Sequence, residues 1–195
     1  MPKPDRAVLF MKSALAILGE TGRTDFTVLE VVERSKTSLR SFYQHYATKD
    51  ELLLALIDTI MTESTQRWRD DIATRPAPEA LQRLIEHITT PAVSSTQDSI
   101  NRGLTYYNDH LAESLPVEYA RVLTPLHELF QGILRRGITE GSFRADVDVP
   151  TTAALIMQST LGAMRLRSLG ADLNGAPIES AHIYQFCVRG LLKVG

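Results

Sequence analysis

The chain has 195 residues, 44% hydrophobic and 23% charged, enough for a real core in one or two domains and too apolar for a disordered chain. A single cysteine, Cys187, excludes an internal disulfide framework and the usual zinc spacings, and no apolar run reaches the roughly 18 residues of a membrane span. The net charge of −2 carries no nucleic-acid signature, but it is unevenly spread: residues 1–50 hold 8 Lys/Arg against 6 Asp/Glu, and the remainder is acidic. The start, MPKPDRAVLF, lacks a signal-peptide profile, so a cytoplasmic location in a reducing compartment is expected.

In chain order, residues 6–19 place Phe10, Ala14, Ile17 and Leu18 at helical spacing, with Gly22 as a natural stop. Thr27 followed by Glu30 is a capping box, and Phe26 with Val31 fits a hydrophobic staple, so a helix is expected over 28–35. Lys36 and Thr37 form a short turn. Thr37 or Ser38 then caps a second helix, from 39 to about 46, with Phe42 and Tyr46 facing inward and Leu39, Arg40, Ser41, Tyr43, Gln44 and His45 facing out. Two short helices joined in this way are a helix-turn-helix arrangement, whose second helix can lie in a major groove. The pattern alone also fits an ordinary helix pair of an all-α protein. Hydroxyls, an imidazole and an Arg on the second helix suit phosphates and base edges better than a core.

Thr48 and Glu51 form a second capping box, and no Gly or Pro follows until Pro76, so one long helix over Lys49–Ile72 is expected as a connecting rod. Amphipathic segments follow at Ala77–Thr89, at about 96–112 and at 116–140, the last containing Pro125, which should kink or split it. Largely apolar helices are expected over 151–169, closed by Gly170, and over 177–193. There is no strand alternation and no internal repeat. The expected class is all-α: a helix-turn-helix head at residues 1–48 and a helical regulatory body at 49–195.

Residues 10 to 54 resemble the DNA-binding head of the tetracycline-repressor (TetR) family of bacterial transcription regulators. The likeness runs ungapped through Gly22, Thr27, Val28, Val31, Glu33, Arg34, Ser38, Phe42, Tyr43, His45, Tyr46, Lys49 and Leu52. It implies that Leu39 and Arg40 face base edges, and that Thr27, Thr37, Ser38, Ser41, Tyr43, His45 and Lys49 hold phosphates, with Lys36 and Gln44 beside them. Two departures bear on base preference: Ser35 and Lys36 stand where the family has a small residue and Gly, and Arg40 replaces an often small residue. The resemblance further implies an unknown small-molecule effector held in the body. It also implies a homodimer through the last two helices, about 150–169 and 177–193, that places two heads on a palindromic double-stranded operator. Burial of those helices against their own body is the alternative.

Candidates to line an effector pocket are Trp68, Tyr106, Tyr107, His110, His127, Phe130, Met157, Gln158 and Met164, each also compatible with plain core packing. Arg165 and Arg167 either cap carbonyls, pair at a dimer seam or hold an acidic ligand. No cofactor or metal is expected. Cys187 and His182, five residues apart on one helix, are poorly matched as nucleophile and base, so an enzyme is not expected. A helical partner-binding protein without an operator is the third reading.

Overall fold

The computed structural model describes residues 5–171 and 175–192. Its helices are α1 (Arg6–Thr21), α2 (Val28–Arg34), α3 (Leu39–Tyr43), α4 (Lys49–Ile72), α5 (Ala77–Thr89), α6 (Ser95–Ser114), α7 (Pro116–Thr139), α8 (Val149–Leu169) and α9 (Ser180–Leu191). Among the described residues no β-strand forms; one isolated bridge joins Phe143 and Leu192.

Local chemistry accounts for most of these limits. Asp5 accepts from the Ala7 amide to start α1, and Gly22 ends it at φ +66, where a Cβ would be strained. Asp148 caps α8 through the Thr151 amide. The Glu179 amide donates to His182 Nδ1 at 3.2 Å, so α9 begins at Ser180 and not at Pro177. The expected end of that helix at Lys193 lies outside the described residues. Pro125 does not split α7, which continues through it with one backbone hydrogen bond missing.

The chain packs as two compact units. The first contains α1, α2, α3, the first half of α4, α6 and the start of α7. Its core gathers Phe10, Leu18, Val31, Phe42, Leu52 and Leu53, with the Phe10 and Phe42 rings edge to face at 5.3 Å. Packing thus joins α6 to the helix-turn-helix, although α6 lies downstream of the expected head. Gly103 permits the close crossing on α1: a Cβ there would lie 2.8 Å from Leu18 Cδ2 and 3.2 Å from the Gly22 carbonyl oxygen.

The second unit holds the rest of α4, α5, most of α7, α8 and α9. Its core includes Leu81, Leu84, Ile85, Leu126, Phe130, Leu134, Phe143 and Ala153. α5 lies against α8 and α9, and Arg167 binds the Thr89 carbonyl at 2.6 Å and Glu179 at 3.0 Å. Arg167 therefore caps a carbonyl of α5, not one of its own helix.

Candidate nucleic-acid interface

The helix-turn-helix is built from short-range hydrogen bonds. Thr27 Oγ1 accepts from the Glu30 amide at 3.2 Å, and Glu30 Oε2 accepts from the Thr27 amide at 2.6 Å and from its hydroxyl at 2.8 Å. These donors hold the Glu30 carboxyl below its ordinary range. In the turn, the Lys36 and Thr37 amides donate to Glu33 and Val32 carbonyls, and Lys36 takes φ +52. A Lys therefore occupies a left-handed position that glycine adopts without strain. The Ser35 and Thr37 hydroxyls bond to each other at 2.7 Å, and Ser38 caps α3 by accepting from the Ser41 amide.

α3 ends at Tyr43, short of the expected 46; on it Leu39 at 43% and Tyr43 at 58% exposure lie open with Arg40. Gln44 and His45 just beyond it are also exposed, and Phe42 and Tyr46 are buried. Lys36 and Ser38 are exposed beside them. Ser41, expected outside, is 2% exposed because its position on the helix turns it toward α1, where its Oγ accepts from Arg6 at 2.9 Å. Thr27 and Thr37 are engaged in their own cap and turn, although Thr27 remains exposed.

Lys49 departs further from the expectation. Its ammonium donates to the carbonyls of Thr24 at 2.8 Å and Phe26 at 3.2 Å, and lies 5.5 and 5.4 Å from the Phe26 and Tyr107 ring centres. Beside it Asp50 accepts from the Tyr107 hydroxyl at 2.5 Å and from His110 Nε2 at 3.1 Å. Burial and this carboxylate push the Tyr107 phenol far above its ordinary range, so it stays a donor. Tyr107 and His110 therefore fasten α6 to the start of α4.

The other pocket candidates are not brought together. Phe130 and Met157 are buried in the core of the second unit, because the apolar stripes of α7 and α8 face it. Tyr106 and Gln158 are exposed. Trp68 stacks on His87, which with Arg83 binds Asp71. His127 Nε2 donates to the Pro150 carbonyl at 3.0 Å, and Met164 is half-buried against the core. Two grooves, of about 570 and 680 Å³, flank Phe186 on the α8 and α9 side, and Arg165 and Cys187 line one each.

Residues 10–56 match the family model for bacterial regulatory proteins of the tetR family. The chain is 23% identical to the HTH-type transcriptional repressor KstR2 of Rhodococcus jostii over 84% of this chain and 80% of the relative. It is 24% identical to KstR2 of Mycobacterium tuberculosis over 95% and 92%. It shares its fold with the transcriptional regulator FadR from Bacillus subtilis, solved in complex with stearoyl-CoA, at a TM-score of 0.74, 18% identity, and 94% and 98% coverage. Residues 10–56, which form the helix-turn-helix and its supporting helices, thus carry the tetR-family signature of bacterial regulatory proteins, and the repressors that the chain resembles align with most of its length.

Proposed function

We propose that this protein is a homodimeric repressor that occupies a palindromic operator and leaves it when a small molecule binds. The observation that carries this reading is the open row of Leu39, Arg40 and Tyr43 on α3 and Gln44 at its C-cap, beside exposed Lys36 and above a sealed Phe42. Leu39 suits thymine methyls, and Arg40 suits guanine O6 and N7 or a phosphate. Ser38, Tyr43, His45 and Lys36 suit phosphates. In this reading residues 1–48 read DNA and 49–195 regulate.

Support for a dimer comes from the outer side of α8 and α9. Leu155 at 64% and Phe186 at 79% exposure stand there with Gly162 and Gly190, where an added Cβ would meet open space. Large apolar side chains next to such open positions fit knobs entering the surface of a second copy, and two-fold pairing places two heads on successive major-groove turns about 34 to 36 Å apart. For the effector, half-buried Trp68, His127 and Met164 are the candidates in the second unit, being neither sealed nor fully open. Release requires the effector to bind the DNA-free state more tightly than the bound one. Long-chain acyl-CoA is the first effector to test, since the FadR structure holds one.

Genome-wide binding followed by anisotropy titration on the recovered fragments tests the reading. Salt-sensitive binding to a palindrome is expected, and absence of specific binding to any fragment overturns it. Leu155→Glu with Phe186→Glu should give a monomer in sedimentation and weaken operator binding; a dimer that persists overturns the assigned face.

A further inference from the structure

The basic residues of the head are not equally free to meet DNA. Arg23 is paired with Asp25, Arg34 with Glu20, and Lys49 is occupied by two carbonyls. Of the cations that remain among the described residues, exposed Lys12 lies further along α1, and Lys36 and Arg40 belong to the turn and to α3, as the helix-turn-helix reading already assigns. Arg6 does not: it is the first residue of α1, outside the segment that matches the family model, and 35 positions away from the α3 residue it touches.

That contact is specific. Ser41 is 2% exposed and sits mid-way along α3, and its Oγ takes one N–H of Arg6 at 2.9 Å, while Arg6 itself is exposed. A guanidinium carries five donors in a planar fork, so one bond to Ser41 orients the group and leaves donors over for a second acceptor. An α-helix with its side chains is about 10–12 Å across and the major groove about 12 Å wide, so a group one hydrogen bond from the flank of α3 stands at the groove wall, where phosphates lie. Phosphate also matches the fork in geometry and charge.

We propose that Arg6, docked on Ser41, is a phosphate-contacting residue of this head that fixes the recognition helix in its groove from the α1 side. The proposal rests on the DNA-binding reading above. Asp5, its neighbour, is spent on the α1 cap and binds the Ala7 amide at 3.0 Å.

The test uses the full chain and a duplex selected by the wild type from a random 40-bp pool, with anisotropy titrations between about 50 and 300 mM KCl. Each phosphate neutralised contributes about 0.9 to the salt slope, so Arg6→Gln should lower its steepness by about 0.9 per head, roughly 8-fold in affinity per head at 0.1 M salt. Arg6→Lys should keep the slope and lose part of the affinity, and Ser41→Ala should behave likewise, since the charge remains while its docking is lost. Arg23→Gln, which removes an already paired cation, is the control. An Arg6→Gln protein with the wild-type slope and an unchanged melting temperature overturns the proposal. A selection that recovers no duplex for the wild type overturns the DNA-binding reading itself.

Discussion

Lys49→Met separates two roles for one side chain. Held as described, the ammonium makes two charge-assisted hydrogen bonds and lies near two ring faces. Hydrogen bonds to charged groups contribute about 1.5–3 kcal/mol when buried, and cation–π contacts about 0.5–1 kcal/mol at exposed sites. Lys49 is only half-buried and its second bond is long, so the lower ends apply, and the rotamer freedom regained on release offsets about 1 kcal/mol. Methionine keeps the apolar stem. The expected loss is about 2 kcal/mol, a fall of roughly 4–8 °C in melting temperature for a chain of this size. Thermal melts by circular dichroism read the first effect, and the salt slope of DNA binding reads the second, which should not change. A slope reduced by about 0.9 per head with an unaltered melting temperature would show that Lys49 holds a phosphate and refute the reasoning.

Lys36→Gly removes a left-handed Lys at φ +52 and should raise stability by about 0.5–1 kcal/mol after the added unfolded-state entropy, while DNA binding weakens through the lost charge; a fall in melting temperature counts against strain at this position. Gly137→Ala places a Cβ 2.1 Å from Cδ2 of the buried Phe143 ring and should destabilise by about 3 kcal/mol, whereas a melt within roughly 2 °C of wild type would show that the ring moves aside freely. The Asp71 carboxyl, beside His87 and Arg83, is held down to about 2 from its ordinary 3.8. A carboxyl with a depressed folded pKa contributes stability above its unfolded value and loses it as pH falls through the folded one. The melting-temperature gap between wild type and Asp71→Asn should therefore close between about pH 4 and pH 2, and a gap constant over that range would exclude the linkage.

Much of the fold was legible in the chain because its signals are local. The Thr27 and Glu30 capping box, the Gly22 stop and the uninterrupted Lys49–Ile72 stretch each act within a few residues, and each produces the element expected there. The exposed row Leu39, Arg40, Tyr43 and Gln44 follows from helical periodicity once Phe42 is placed inward. Periodicity misplaced Ser41, since a helix flank is neither face, and only α1 packing against it decides that its hydroxyl is enclosed.

Other features depended on partners far along the chain. Arg6 meets Ser41 over 35 positions, Lys49 meets Thr24 over 25, and Tyr107 meets Asp50 over 57. No spacing rule reports such pairs. The effector candidates scattered for the same reason: residue type marks Tyr107, Phe130 and Gln158 as adaptable or polar, but one fastens α6, one fills a core and one faces outward. The sequence by itself determined most of the helices and caps and the open face of the helix-turn-helix, because backbone hydrogen bonds and capping are settled within one or two turns. Only the tertiary structure decided which cations are already paired and which remain exposed, because charge and burial depend on neighbours that folding, and not chain order, brings together.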